Sequence, residues 1–172
     1  MSHDETGMTH SEQSPDVHQP TLLGIDLGLR TGLALFSHTG RLLWYRSAHF
    51  GSLQQYKKSV FSLLKQQQGL YRVVVEGGGK LAQIWIRETG RRDISLSFIS
   101  ADQWRKLLLL PRQRRDGTTA KKAAQVMARS VIDWSGAKRP TSLGHDAAEA
   151  ICVGLYGVLE LGWLKKVPKE LR

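Results

Sequence analysis

Four acidic residues, Asp26, Glu76, Asp146 and Glu149, stand where carboxylates have no structural purpose. Two close apolar runs, and two lie in a stretch of small residues near the C-terminus. Their contexts are LLGIDLG, RVVVEGG and HDAAEAICVG. A charge at the edge of a buried element costs desolvation energy unless it is paired or binds a cation, so acids repeated in such places point to a metal site. Hard divalent cations take oxygen ligands, which carboxylates supply. Asp146 and Glu149 are three apart, so on a helix they share a face.

The charge of the chain suggests what such a site would act on. Its 172 residues hold 25 Lys and Arg against 15 Asp and Glu, a net charge of +10. The first twenty residues carry four of those acids (Asp4, Glu5, Glu12 and Asp16) and no Lys or Arg, which leaves +14 on residues 21 to 172. Such a field attracts nucleic acid or an anionic membrane, and no stretch reaches the roughly 20 apolar residues of a membrane span. No membrane partner is therefore expected. An acidic metal site in a basic protein reads first as a nuclease. The opening MSHDETGMTHSEQSPDVHQP has neither the charged start nor the apolar core of a signal peptide, so residues 1–20 read as a disordered acidic tail. The expected location is the cytoplasm, at the nucleoid in a bacterium or in the host cytoplasm for a phage protein. The lone Cys152, among Ala, Ile, Val and Leu, reads as a small buried apolar residue.

These residues have to be positioned by a fold, and the chain length allows one domain. Apolar runs at 22–27 and 32–37 flank the turn LGLRT, and a third β-leaning stretch, RLLWYRSAHF, completes an antiparallel meander. Ser52 caps a helix to about Gln68, with Leu53, Tyr56, Val60, Phe61 and Leu64 at helical spacing. Tyr71 to Val75 is a β-branched run of the kind covered on both faces. A helix over about 81–89, a strand over 94–99 and a short helix through Leu109 follow. Pro111 opens a polar loop, PRQRRDGTT, before a helix capped by Thr118 or Thr119 and ending near Trp134. The last helix spans roughly 143–161. This order predicts an α/β protein with a mixed five-stranded sheet, three antiparallel strands and then parallel ones, and helices on both faces. If the strands ending in Asp26 and Glu76 are parallel neighbours, both carboxylates fall on one edge, where ligands of such sheets sit. Ala147, Ala148 and Ala150 leave room for the last helix to lie close and point its acids inward. Trp85 and Tyr56 read as core rather than base-stacking residues. Gly77-Gly78-Gly79-Lys80 lacks the spacing of a nucleotide phosphate loop, so no nucleotide cofactor is expected.

Three segments, Gly24-Ile25-Asp26-Leu27-Gly28, Val75-Glu76 and Asp146-Ala147-Ala148-Glu149-Ala150, resemble in their order the RuvC-like Holliday junction resolvases of the ribonuclease-H-like superfamily. ADQWRKLLLL and TTAKKAAQVMARS look like its phage and prophage branch, and the similarity covers about residues 21–160. The sequence departs from the pattern in its fourth acid, more often Asp than Glu, and in His145 before the pair. The resemblance implies a ribonuclease-H-like nuclease domain over 21–165 with a basic C-terminal tail at 166–172. It implies two Mg²⁺ or Mn²⁺ ions, about 4 Å apart. Asp26 would bridge them, Glu76 and Asp146 would complete their shells, and Glu149 would bind directly or through water. It further implies that Lys121 or Lys122 approaches the scissile phosphate.

The run from Arg105 to Lys122 holds Arg105, Lys106, Arg112, Arg114, Arg115, Lys121 and Lys122, opposed only by Asp116, a natural grip on a phosphate backbone. Lys80, Arg87, Arg91 and Arg92 form a second candidate grip. His145 could be a base, a ligand or the first turn of the helix, and a lone His beside a cap is more often structural. Rival readings are an RNA-processing nuclease of the same fold, an actin- or Hsp70-like ATPase, for which the chain is too short, and a non-catalytic binding module. A four-way junction is nearly two-fold symmetric, so a homodimer is the expected assembly on branched DNA.

Overall fold

The computed structural model describes residues 18–172, so most of the expected acidic tail lies outside the described residues. The strands are β1 (Thr21–Asp26), β2 (Arg30–Ser37), β3 (Leu42–His49), β4 (Leu70–Glu76) and β5 (Ser95–Ile99). The helices are α1 (Leu53–Gln66), α2 (Gly79–Gly90), α3 (Ala101–Leu108), α4 (Gly117–Ser135) and α5 (His145–Glu160). The sheet runs β3-β2-β1-β4-β5, with β1, β2 and β3 antiparallel and β4 and β5 parallel to β1. This is the mixed sheet that the element order predicts.

Alternation along the strands builds two cores. Leu23, Ile25, Val73 and Val75 face one way and pack with Tyr56, Val60, Leu63 and Leu64 of α1 and Ile84 and Trp85 of α2. Leu22, Ala34, Phe36 and Val74 face the other way, against α5 and its neighbours α3 and α4. The valine triplet of β4 is fully buried because its residues fill both layers in turn. Trp85 and Tyr56 are core residues, joined by a hydrogen bond from Trp85 Nε1 to Tyr56 Oη of 2.7 Å. Cys152 is buried beside Ala124 of α4, and burial pushes its thiol pKa far up, as a structural role requires.

Several elements differ locally from the sequence expectation. Leu53 and Phe61, counted on the apolar side of α1, are 44% and 48% exposed, because the buried face follows Tyr56, Val60, Leu63 and Leu64. The cap of α4 is Asp116, whose Oδ1 accepts from Thr119 N at 2.8 Å, so the polar loop ends earlier than expected. Asp116 is the better cap because its carboxylate also accepts from the Thr119 hydroxyl at 2.7 Å. The basic stretch 166–172 is folded back rather than hanging free: Val167 and Leu171 are buried, and the 3₁₀ turn Lys169–Leu171 packs on α4.

Helix α5 lies on β1 and β2 at unusually short range. A Cβ on Gly24 would overlap the backbone of Gly154 and Ala150, and one on Gly32 would overlap the backbone of Asp146. These two glycines set how closely the helix carrying Asp146 and Glu149 approaches the sheet. Gly24→Ala and Gly32→Ala should each lose roughly 2–4 kcal/mol of stability in urea unfolding, as overpacking against a backbone allows no side-chain relief. Gly90→Ala is the control, because its Cβ would meet nothing within 4 Å, and it should leave the urea midpoint unchanged or slightly raised.

Candidate active site

The sheet register sets out a row of residues across the strands. Ser47 of β3 pairs with Gly32 of β2, Gly32 with Asp26 of β1, Asp26 with Glu76 of β4, and Glu76 with Ile99 of β5. Asp26 and Glu76 thus close two adjacent parallel strands at the same level, which fulfils the condition set by their sequence contexts. The backbone of Asp146 crosses over Gly32, in the middle of this row. One turn of α5 further on, Glu149 comes close enough to Asp26 for its charge to raise the Asp26 pKa. Residues more than a hundred positions apart therefore share one small, half-buried space.

Each acid has a distinct environment. For Asp26, burial first and then the charges of Glu149, Glu76 and Asp146 push the carboxyl pKa up to about 8. Burial also raises that of Glu76, opposed by the Trp104 indole, whose Nε1 donates to Glu76 Oε2 at 2.6 Å. The Ser47 hydroxyl donates to Asp146 Oδ2. Arg105 pairs with Glu149, Nη2 to Oε1, at 3.4 Å. Glu149, which the resemblance would have bind a metal ion directly or through water, is thus paired with a guanidinium that α3 brings to it.

The donor set is oxygen only, and mutual repulsion among its members is a strain that a hard cation relieves, so in chemistry these residues fit a divalent metal. Their side chains are not gathered into a finished cage. Among the described residues no three His, Cys, Asp or Glu side chains stand grouped as a metal site. Three of the four already accept from a neighbour: one oxygen of Glu76 is taken by Trp104, one of Asp146 by Ser47 and one of Glu149 by Arg105.

The basic residues separate into two groups. Lys121 and Lys122 are exposed on the first turns of α4, and Arg112 and Arg115 are exposed on the segment before it. Arg115 pairs with Asp116, and Arg114 is half-buried with its Nε lacking a partner among the described residues. Lys80 is exposed on the first turn of α2. The rest of the second candidate grip is committed elsewhere. Arg87, Arg91 and Arg92 lie 3.5, 3.0 and 2.8 Å from the buried Glu88, and Arg92 also covers the Phe61 ring. Periodicity could not show this, since Glu88 reads as an ordinary helix-surface acid. His145 is exposed on the first turn of α5 and has no hydrogen bond to any of the four acids. Ser47, Trp104 and Arg105 contact the acids without having been singled out for it, although ADQWRK does carry the Trp-Arg pair just after a strand.

The arrangement can be compared with known structures. It superposes on T. thermophilus RuvC in complex with a Holliday junction substrate with a TM-score of 0.60 and 18% identity, covering 86% of this chain and 99% of that one. The chain carries the RuvC-like ribonuclease-H fold. Fowlpox virus resolvase, in a complex with Holliday junction DNA, aligns with a TM-score of 0.58 and 12% identity over 83% of this chain and 99% of that one. At such identities the likeness is one of fold. No protein-family model and no curated protein matches the chain. Among the described residues of this RuvC-like fold, no helix is long and apolar enough to cross a membrane.

The raised pKa of Asp26 has a thermodynamic consequence with a definite sign. Its ordinary value is 3.8 and its folded value about 8, so between those limits the folded state holds a proton that the unfolded state has released. Stability from this group is full below about pH 4 and is lost as the pH rises through 8. In the metal-free protein Asp26→Asn should therefore raise the unfolding free energy at pH 8 by on the order of 2 kcal/mol, seen as a higher melting temperature, and change it little at pH 4.5. Calorimetric melting at the two pH values checks this, and an equal shift at both would contradict it.

Proposed function

We propose that the protein is a divalent-metal-dependent endonuclease that cleaves phosphodiester bonds of branched DNA, with Holliday junctions as the preferred substrate. The observation that carries the reading is the side-by-side register of Asp26 and Glu76 under the helix bearing Asp146 and Glu149. The net charge of +14 on residues 21–172 supports a polyanionic substrate. The two aligned structures, both bound to Holliday junctions, favour branched DNA over structured RNA.

Asp26, Glu76, Asp146 and Glu149 would hold two Mg²⁺ or Mn²⁺ ions, which supply an acidified water and neutralise charge on the leaving 3′ oxygen. The chain's own part is to position and to exclude. Asp26, on which the charges of the other three acids converge, would be the shared acid. Trp104 fixes the Glu76 carboxyl and Ser47 that of Asp146. Lys121 lies near the scissile phosphate in this reading and stabilises its developing charge. Lys80, Arg112, Arg114, Arg115 and Lys122 grip the flanking backbone. Two coordinated incisions across a two-fold junction call for a homodimer. A cytoplasmic location belongs to the same reading.

Asp26→Asn should bind a four-way junction as tightly as wild type but cleave it at least about a thousandfold more slowly in saturating Mg²⁺, as expected for loss of a metal-bridging acid. The measurement is a cleavage panel over junctions, linear duplex, R-loops and structured RNA, in Mg²⁺ and in EDTA. Retained cleavage by the variant, or equal cleavage in EDTA, would sink the proposal, and preferential cutting of RNA would replace its substrate. Lys121→Ala with Lys122→Ala should lower junction affinity and reduce its salt slope by about one to two, since each phosphate contact contributes about 0.9.

A further inference from the structure

Consecutive residues of α3, Trp104 and Arg105, each contact one of the four acids, and Arg105 is the only cation among the described residues paired with any of them. The pair is sheltered: the side chains are 23% and 12% exposed for Arg105 and Glu149. Arg105 Nε is buried and has no hydrogen-bond partner among the described residues. Its guanidinium carbon lies 5.2 Å from the centre of the Trp104 ring, which helps to hold it in place. The two sides of the pair are rigid. Glu149 is fixed by α5 pressed on the sheet, and α3 starts at Ser100 with a capping box immediately after Ile99, the neighbour of Glu76 in the row. A guanidinium in this position meets the same need as a metal ion, since it places positive charge beside a carboxylate that Asp26 and Glu76 repel.

From this geometry we infer that Arg105 is a built-in counter-ion that competes with divalent cation for Glu149. The inference rests on the metal-site reading above. In the metal-free protein Arg105 neutralises Glu149 and offsets part of the repulsion within the four-acid cluster. A cation that takes Glu149 must first break this pair, so Arg105 lowers the affinity of the site for metal. The residue is thus a positioning group that sets how much metal the site requires. A residue serving only to brace the site would act in the opposite sense, because its removal would loosen the ligands and weaken metal binding.

The sign of the effect is the test. Titration of Mg²⁺ alone into DNA-free protein by calorimetry should show Arg105→Gln binding the ion roughly threefold to tenfold more tightly than wild type, the size expected for a sheltered ion pair. In a Glu149→Gln background the same substitution should leave Mg²⁺ affinity unchanged, because the competition has been removed. Arg105→Met keeps the aliphatic stem over Trp104 and gives the same reading if glutamine is not tolerated. Unchanged or weaker Mg²⁺ binding by the Arg105 variants overturns the inference. So does an equal gain in the Glu149→Gln background, which would make the effect a general one of net charge. If wild type and variants all fail to bind Mg²⁺ or Mn²⁺, the metal-site reading itself falls and takes this inference with it.

Discussion

The close seating of α5 on the sheet is the constraint on which the rest of the structure depends. Two glycines, Gly24 and Gly32, have nothing but helix backbone above them, so the helix cannot be lifted or rotated without opening the core. Leu22, Val74 and Phe36 fill the space beneath the helix. Below its first turns the filling ends, and four acids occupy the edge where the strands stop. The same packing that stabilises the domain therefore sets the distance between the acids of the helix and those of the strands. Neither set can move independently of the other.

Crowding of like charges in a half-buried space works against folding, and the protein offsets it in specific ways. Asp26 takes up a proton more readily than a free carboxyl would, pushed up to about 8. Glu76 is met by an indole N–H, Asp146 by a hydroxyl and Glu149 by a guanidinium. The last three of these contacts each engage one carboxylate oxygen and leave the other able to accept another partner. The site is therefore strained and supported at once, a combination concentrated at functional positions.

The positive charge of the chain is not one undivided field. Arg87, Arg91 and Arg92 gather around buried Glu88, and Arg139 and Asp133 pair at the end of α4. Lys121, Lys122 and Arg112, in contrast, are exposed without ion pairs among the described residues. Lys57, Lys58, Lys65 and Lys80 are likewise exposed without ion pairs among the described residues, so the cations free to meet a phosphate backbone lie on α1 and the start of α2 as well as on the segment leading into α4.

By itself the sequence determined the order of elements, the mixed sheet and the burial of the valines in the run from Tyr71 to Val75, although Tyr71 itself is exposed, and it singled out the four acids. Each of these is written in local terms: alternation, capping, β-branching, or a charge at the end of an apolar run. Local pattern also placed Trp85, Tyr56 and Cys152 in the core. What it could not carry was partnership across distance. That Arg105 turns to Glu149, that Trp104 reaches Glu76, and that three arginines surround Glu88 depend on where α3 and α2 land, and a lysine or arginine reads alike whether solvated or paired. The cap of α4 passed from Thr118 or Thr119 to Asp116 because neighbouring polar residues compete on geometry that one dimension does not contain. Only the tertiary structure decided that Gly24 and Gly32, which look like turn or strand punctuation, are the floor on which α5 rests, since a close backbone approach is a relation between two elements and is written in neither alone.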